Sequence, residues 1–309
     1  MRFSENYPVV SVIINSYNAS QYIVNCVDSV LTQTFENFEL LICDCSNDDT
    51  FEKVRRYKDP RIRLRRIEHR VSLSKARNIS IAEARGVYIA LIDADDICLP
   101  NRLELQLSCL ESADADICGS WYYELQERNG KIRRRRTVTN DTNIKALLTI
   151  YNPICNPTTF FKKSILRNPP YREDYRYAED SEMWLDLATR AKFTIVPDYL
   201  IYYRVHDMQL SKETTNAPSE WFNKARDAYL SRLLGTPTTI KQNHFKWRLT
   251  HGTHILCELN KRLTGISFRV NCELYSRMQP KHPRRFSVLR RLERIVIVLI
   301  IFCARRSKG

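Results

Sequence analysis

Glycine is scarce in this sequence, with 7 glycines in 309 residues. This composition argues against a β-solenoid or a low-complexity protein. The motifs GxGxxG and GxxxxGK[ST] are both absent, which excludes a dinucleotide-binding fingerprint and a P-loop. The 10 cysteines form no CxxC pair and have no histidines at zinc-site spacing, so we expect reduced thiols in a cytosolic compartment. No apolar run follows Arg2, so a secretory signal is not expected.

Long apolar segments are also missing, and the charge is strongly basic at +14. Residues 281–309 carry nine Lys or Arg against the single acid Glu293. Within them, an apolar run over 295–304 has ten residues, whereas a bilayer span needs about 20. The run is either a buried helix or an interfacial anchor, and its basic flanks favour an anchor on an anionic membrane surface. Aromatic residues do not interleave with these basic ones, so no nucleic-acid partner is expected.

Apolar β-branched runs alternate with helical patterns through the first third of the chain. The predicted strands cover 9–14, 38–43, 62–67 and 87–92. Three helices are predicted between them: one that starts near Tyr22, one over 50–57 and one over 73–85. Asn18 and Gln21 have the spacing of a capping box for the first helix. Such alternation predicts an α/β fold whose mostly parallel sheet is flanked by helices. Helical periodicity also predicts helices over 217–234 and 241–263.

Polar clusters follow three of the predicted strands. They are NSYN at 15–18, DCSNDD at 44–49 and DADD at 93–96. Ligands of open parallel sheets bind beyond the carboxyl ends of the strands, so these clusters should meet at one edge. Two acids two residues apart can hold one hard cation against a diphosphate. A lone acid pair is more often a solvated turn that caps the next helix, and the other clusters make the metal interpretation stronger.

Four segments, in order along the chain, resemble the conserved blocks of a known enzyme family. They are PVVSVIINSYN, SVLTQTFENFELLICDCSNDDT, SLSKARNISIAEARGVYIALIDADD and YAEDSEMWLDLA. Over residues 8–210 they resemble family 2 inverting glycosyltransferases of the GT-A fold. The stretch NPICNPTTFFKKSIL is similar to bacterial enzymes of polysaccharide and lipopolysaccharide biosynthesis. The resemblance implies a Rossmann-like GT-A domain with a nucleotide-sugar half over 1–120, an acceptor half over 121–210 and a helical C-terminal extension over 211–309.

The resemblance also implies residue roles. The nucleotide and donor sugar would be bound by Ser16, Tyr17, Asp44, Arg77 and Asp93. Asp95 would ligate Mn²⁺ or Mg²⁺, His206 would lie near the metal or diphosphate, and Asp180 would be the general base. Trp184 would either line the acceptor pocket or pack in the core. The family's second block usually contains a glycine where this chain has Cys45, and cysteine tolerates a positive φ poorly.

The resemblance therefore implies metal-dependent transfer of a sugar from a UDP-sugar to a hydroxyl of a glycan acceptor. The acceptor would be lipid-linked, and the enzyme peripheral on the inner face of the cytoplasmic membrane. Three other functions stay open. A nucleotidyltransferase would carry a glycine-rich basic loop where this chain has NSYNAS. A non-catalytic nucleotide-sugar-binding protein would not need Asp93, Asp95 and Asp180, and a nucleic-acid-binding protein is suggested by charge alone.

Overall fold

The computed structural model describes residues 7–149, 151–175, 177–209 and 217–234. The strands are β1 Val10–Ser16, β2 Phe38–Asp44, β3 Ile62–Arg66, β4 Tyr88–Asp93, β5 Ile97–Cys98, β6 Ile117–Gln126, β7 Lys131–Arg135, β8 Phe160–Lys162 and β9 Phe193–Val205. The helices are α1 Ile23–Leu31, α2 Thr50–Arg55, α3 Leu73–Glu83, α4 Arg102–Ser112, α5 Asp141–Leu148, α6 Glu179–Leu187 and α7 Ala217–Leu234. They confirm the predicted α/β class.

The first half of the sheet is parallel, in the strand order β3-β2-β1-β4. Strands β1, β2 and β4 are buried along nearly their whole length, as expected for strands covered on both faces, whereas the edge strand β3 is basic and only partly buried. Helix α1 buries Cys26, Val27 and Val30 against this sheet. All four strands predicted from the alternation of strands and helices are therefore present, in a parallel arrangement.

The second half of the sheet mixes directions. Strand β8 is antiparallel to β4 and to β6, and β6 then pairs parallel with β9. Strand β5 is antiparallel to β9, and β7 forms an antiparallel hairpin with β6. The predicted mostly parallel arrangement therefore describes the first half, while one continuous sheet runs through both predicted halves of the domain. The boundaries of those halves stay a prediction.

The predicted capping box before α1 is wrong. Helix α1 begins at Ile23 with no side-chain cap. Asn18 instead adopts a φ of 51°, and its side-chain oxygen accepts a hydrogen bond from the backbone N–H of Asn47 at 2.8 Å. Its own N–H donates to Ser46 Oγ at 2.8 Å. Asn18 therefore joins the loop after β1 to the loop after β2, and a side chain engaged there cannot cap the helix.

The turn after β2 does not need the glycine that the family usually has. Cys45 does not have a positive φ. In the described part of the chain, the non-glycine residues with a positive φ are Asn18, Asp114 and Tyr177. Its backbone N–H donates to the carbonyl of Ser16 at 3.0 Å, which extends the β1–β2 pairing by one bond. The substitution of cysteine for glycine is therefore compatible with this backbone.

The later helical predictions differ in outcome. Helix α7 spans Ala217–Leu234, as predicted for 217–234. The helix predicted over 241–263 and the apolar run over 295–304 lie outside the described residues. Among the helices that are described, none has the length and apolar character needed to cross a bilayer.

Candidate active site

The carboxyl ends of β1, β2 and β4 bring the three polar clusters together, as predicted. In the parallel ladder Ser16 lies opposite Asp44, and Asn15 lies opposite Asp93. Ser16 Oγ donates to Asp44 Oδ1 at 2.7 Å. The register of buried strands therefore sets the spacing of these side chains, because a shift by one residue would turn the apolar residues out of the core.

Asp44 is the last residue of β2, belongs to the second polar cluster and is fully buried. Its Oδ1 accepts from Ser16 Oγ at 2.7 Å and from Ser46 Oγ at 2.6 Å. Its Oδ2 accepts from Arg66 at 2.6 Å and from the Ser46 backbone N–H at 3.3 Å. The Asp44 carboxylate therefore accepts four hydrogen bonds from protein groups, and these bonds hold Ser16, Ser46 and Arg66 around it. Direct contact between Asp44 and a base stays a prediction.

Tyr17 is the most exposed of the predicted nucleotide residues, with 38% of its surface accessible. The guanidinium of Arg70 lies 4.3 Å from the centre of its ring. An accessible aromatic ring beside a cation suits stacking against a planar ligand. Arg66 is the last residue of β3 and Arg70 follows it closely, and neither was predicted from the sequence as a site residue.

Arg77, on α3, connects two groups of acids at the centre of the site. Its guanidinium lies 3.2 Å from Glu179 and 3.7 Å from Asp93, and its side chain is buried. Burial alone would lower the pKa of Arg77, but Tyr171, Glu179, Asp93 and Asp180 outweigh it and raise the pKa. Arg77 is therefore a permanent cation that holds the end of β4 beside the start of α6.

The acids around Arg77 share a common electrostatic feature. Desolvation raises the pKa of Asp93 to about 6, with Asp95 and Asp180 adding to the effect and Arg77 opposing it. Desolvation also raises the pKa of Glu179, again against Arg77. Carboxyl groups with raised pKa values in a cleft are typical of catalytic sites.

Asp180 lies in the first turn of α6 and is oriented by hydrogen bonds at both oxygens. Its Oδ1 accepts from the Ser181 N–H at 2.6 Å, and its Oδ2 accepts from Asn152 Nδ2 at 3.0 Å. Desolvation raises the pKa of Asp180, and Arg77 and Ser181 limit the rise. A carboxylate of this kind is a suitable proton acceptor, because its basicity is higher than that of an ordinary aspartate.

Asp95 and His206 meet on the other side of Asp93. His206 Nε2 lies 2.8 Å from Asp95 Oδ2. The second ring nitrogen, Nδ1, is buried and has no hydrogen-bond partner in the described part of the chain. His206 follows β9, so the pairing of the second half of the sheet delivers it to the acid turn after β4.

A hydrogen-bond clamp fixes this contact. Asp96 is fully buried, and its Oδ1 accepts from the Arg204 backbone N–H at 2.8 Å. The Arg204 side chain donates to the Asp95 carbonyl at 2.9 Å and lies 4.9 Å from the ring centre of Tyr22. Burial raises the pKa of Asp96 well above its usual value, with Asp95 and Asp93 contributing.

The sequence model of glycosyl transferase family 2 matches residues 11–168 of this chain. This span contains the β1, β2 and β4 clusters described above. The chain belongs to glycosyl transferase family 2. It is therefore a glycosyltransferase.

Curated relatives agree with this assignment. A Haemophilus influenzae protein described as an uncharacterized glycosyltransferase is 30% identical over 72% of this chain and 73% of its own. The Escherichia coli UDP-Glc:alpha-D-GlcNAc-diphosphoundecaprenol beta-1,3-glucosyltransferase WfaP is 31% identical over 64% of this chain and 78% of its own. The E. coli enzyme WfgD, which is described by the same activity, is 34% identical over 58% of this chain and 69% of its own.

Solved structures share the fold of this glycosyltransferase. Staphylococcus aureus TarS in complex with UDP-GlcNAc superposes with a TM-score of 0.59 at 18% identity, covering 86% of this chain and 75% of that one. The Pyrobaculum calidifontis mannosyltransferase PcManGT in complex with GDP-Man and Mn²⁺ gives 0.57 at 14% identity, covering 99% and 89%. These likenesses confirm the predicted GT-A fold.

The glycosyltransferase has a partial donor set for the divalent cation that its family implies. Asp95 offers a carboxylate oxygen and His206 an imidazole nitrogen, and two further polar atoms of this region, His206 Nδ1 and Asp96 Oδ2, are buried without a hydrogen-bond partner in the described part of the chain. Oxygen and imidazole donors suit Mn²⁺, and Mg²⁺ prefers oxygens. Within the described ranges, no three His, Cys, Asp or Glu side chains converge as a complete metal site. Asp95 and His206 would therefore supply only part of the ligands of such a metal.

Trp184 is fully buried in this glycosyltransferase and packs edge-on against Phe161, with 5.7 Å between ring centres. Of the two roles considered for it, the structure supports packing. Four residues that hold the site were not assigned from the sequence, namely Arg66, Asn152, Glu179 and Arg204. Glu179 is a first-turn acid of α6, a position that the helix dipole favours in any helix, so the sequence gives no sign of its contact with Arg77.

Proposed function

We propose that this enzyme transfers a sugar from a UDP-sugar to a hydroxyl of a glycan acceptor, with inversion at the anomeric carbon. The observation that carries the proposal is the position of Arg77, which pairs with Asp93 and with Glu179, the residue that precedes Asp180. One buried cation thus joins the acid turn on the donor side to the helix that carries the candidate base.

The donor side supports a nucleoside diphosphate sugar. Tyr17 offers an accessible ring, and Ser16, Ser46 and Arg66 form a polar pocket around Asp44. UDP is favoured among nucleotides because the relatives WfaP and WfgD are described as UDP-Glc enzymes. The structural relative TarS has been solved with UDP-GlcNAc, whereas PcManGT has been solved with GDP-Man.

Asp95 and His206 would hold Mn²⁺ or Mg²⁺. When bound, the metal would act as a Lewis acid that neutralises charge on the departing diphosphate. Asp93 would face the ribose and donor sugar. Arg77 would keep Asp93 in place and add positive potential at the same end of the sheet, because its guanidinium has no alternative protonation state at physiological pH.

Asp180 would remove the proton from the acceptor hydroxyl as that oxygen attacks the anomeric carbon. Asn152 and Ser181 hold its two oxygens, so the carboxylate is presented in one orientation. A single base without an enzyme nucleophile gives one displacement and therefore inversion, by the logic that separates inverting from retaining glycosidases. An α-linked UDP-sugar would yield a β-glycoside.

The acceptor is proposed to be a lipid-linked glycan used in cell-surface polysaccharide synthesis. The names of WfaP and WfgD describe a diphosphoundecaprenol-linked acceptor, and the relative WbnJ is described as an O-antigen biosynthesis glycosyltransferase. The enzyme would then work at the inner face of the cytoplasmic membrane. The basic and apolar C-terminal segment at 281–309, which lies outside the described residues, would contribute to attachment.

The test is a donor screen that measures nucleotide release from UDP-glucose, UDP-galactose, their N-acetyl forms and GDP-mannose. Each donor is offered with a diphospholipid-linked sugar, in the presence of Mn²⁺, Mg²⁺ or EDTA. We expect release from a UDP-sugar that requires both metal and acceptor. Release from GDP-mannose alone would contradict the UDP assignment, and full turnover in EDTA would contradict the metal assignment.

A further inference from the structure

The β6–β7 hairpin carries a dense basic surface that the proposed transfer chemistry does not use. Residues 127–136 are all exposed. Six of these ten are basic: Arg128, Lys131, Arg133, Arg134, Arg135 and Arg136. With the acids Glu124 and Glu127, residues 121–136 have a net charge of +4, and we call them the hairpin surface. A local excess of one sign creates a potential that attracts an anionic partner.

Most of this charge is not neutralised by the protein. Glu124 is buried and lies 2.5 Å from Arg135 and 3.7 Å from Arg133. The other four basic residues have no carboxylate within ion-pair distance in the part of the chain that the structure describes. They are Arg128, Lys131, Arg134 and Arg136. Four cations are therefore available to an external anion.

Aromatic rings line the sheet beside the basic strand. Tyr123 stacks on Tyr199 at 4.5 Å and on Tyr202 at 5.0 Å. Arg136 lies 4.9 Å from the ring centre of Trp121, and its Nε donates to the hydroxyl of Tyr199 at 2.5 Å. These contacts hold the guanidinium of Arg136 against the aromatic rings beside the hairpin.

Two simpler explanations account for less of this surface. Charged residues on an edge strand prevent aggregation, but a few charges of either sign suffice for that purpose. Here β7 and the residue after it carry five basic residues and no acid. A single-stranded nucleic acid would need open ring faces for its bases. The rings of Trp121 and Tyr199 are instead covered by each other and by Arg136.

The hairpin surface lies next to the active-site acids. The Glu127 backbone N–H donates to the Val205 carbonyl at 3.0 Å, and the Tyr22 hydroxyl donates to the Glu127 carboxylate at 2.8 Å. The next residue after Val205 is His206, which contacts Asp95. A partner bound at the hairpin turn would therefore be close to the entrance of the site.

We propose that the hairpin surface docks the enzyme on an anionic lipid bilayer, with the four unpaired basic side chains against headgroup phosphates. The exposed side chain of Ile132 lies between them, at 51% accessibility. Docking of this kind brings the entrance of the site to the plane where a lipid-linked acceptor presents its sugar. That consequence rests on the proposed function, whereas the docking itself does not.

The test is flotation of the full-length protein with vesicles of phosphatidylglycerol mixed into phosphatidylcholine, compared with phosphatidylcholine alone. The test variant is the triple substitution Arg128→Gln, Lys131→Gln and Arg134→Gln, which breaks no ion pair. We expect its partition coefficient on the mixed vesicles to fall by about 10²-fold, given the contribution of each basic residue near an anionic surface. Added salt should weaken binding of the wild type.

The matched control is the triple substitution Arg56→Gln, Lys58→Gln and Arg85→Gln. These residues are exposed, form no ion pair in the described structure and change the net charge equally. The partition coefficient of this control variant on the mixed vesicles should stay within about twofold of wild type, because only charges close to the membrane surface contribute to the attraction. A single substitution, Lys131→Glu, provides a second test that leaves the ring stack intact, and about a 30-fold loss is expected because the reversal changes the charge by two.

Four results would overturn the proposal. They are wild-type flotation of the hairpin triple, equal losses in both triples, equal binding of the wild type to neutral vesicles, or tighter binding to single-stranded RNA that the hairpin triple abolishes. A further triple, Arg305→Gln, Arg306→Gln and Lys308→Gln, measures the tail separately. Complete loss in that variant, with none in the hairpin triple, would also overturn it. A thermal midpoint for each variant verifies that it is folded, and none of these outcomes depends on transfer activity.

Discussion

The two halves of the sheet hold their site residues by different means. In the parallel half, Ser16, Asp44 and Asp93 lie at strand ends, and the backbone ladder fixes their spacing. In the mixed half, Asp180 and His206 lie outside the strands and are positioned by side-chain contacts with Asn152 and Asp95. The strand-end residues of the parallel half are therefore prearranged by the core, whereas Asp180 and His206 depend on a few long-range side-chain contacts. Single substitutions should separate the two.

The largest effect is expected at Asp95, where the halves meet. Asp95→Asn should lower transfer by on the order of 10³-fold, because a Lewis acid contributes several kcal/mol and an amide is a poorer ligand for a hard cation. Binding of UDP with Mn²⁺, measured by calorimetry, should weaken as well. The control is Asp114→Asn, an exposed position with φ of 46° that asparagine accepts. Wild-type turnover of Asp95→Asn would disprove the metal assignment.

Asp180 should separate catalysis from donor binding. Asp180→Asn should reduce kcat by at least about 10²-fold, the usual scale of a general base. UDP affinity should stay near wild type, since Asp180 is assigned to the acceptor hydroxyl. Asp174→Asn removes an exposed acid six residues earlier and should leave both quantities unchanged. If UDP binding also collapses in Asp180→Asn, then Asp180 belongs to the donor site and the comparison between the two halves fails.

Arg77 links the halves, and its charge should appear in the pH profile. Desolvation raises the pKa of Asp180, and Arg77 opposes that rise. A base works in its ionised form, so activity falls as pH drops through this raised pKa. Arg77→Gln removes the opposing cation and should move the acid limb of kcat/KM to higher pH, by roughly one unit or more.

Arg77→Lys is the matched variant for this prediction. It keeps the charge but not the planar fork that reaches both Asp93 and Glu179. Its acid limb should stay near that of wild type, while kcat/KM on the plateau falls by about tenfold, the effect of losing one charge-assisted contact. Identical acid limbs in Gln and Lys variants would show that Arg77 does not control the acids. Both pH profiles should be measured below the melting temperature of each variant, because removing one partner of a buried ion pair destabilises the fold.

The parallel half could be predicted from the sequence because its signals are local. Buried strands have continuous apolar runs, and the polar residues that follow them must reach one edge of a parallel sheet. The polar clusters that contain Ser16, Asp44 and Asp93 were located in this way, whereas the roles of the individual residues came from the family resemblance. The family resemblance then supplied Asp180 and His206, which local patterns alone would not have marked as functional.

The mixed half could not be predicted in the same way. Strands β5 and β8 have only two and three residues, which is too short for a period to appear. Asn152, Arg66 and Arg204 act through contacts with residues 28, 22 and 109 positions away, respectively. Such pairings depend on the tertiary fold. The failed capping box at Asn18 has the same cause, since a contact with the β2 loop took precedence over a local one.

The smallest effect on activity, and a direct comparison of the two halves, is expected from two glycine substitutions. A Cβ at Gly86, before β4, would lie 2.5 Å from the Ser11 backbone nitrogen, and the strand ladder cannot move away. A Cβ at Gly119, in β6, would lie 2.5 Å from Ile195 Cδ1, the end of a flexible side chain. Gly86→Ala should therefore lower the free energy of unfolding by about 3 kcal/mol, and Gly119→Ala by about 1 kcal/mol. Urea denaturation of both variants measures the difference, and UDP binding should persist in each below its transition. Equal losses would mean that the parallel ladder is no more rigid than the mixed half, and the contrast between the two would have to rest on the site residues alone.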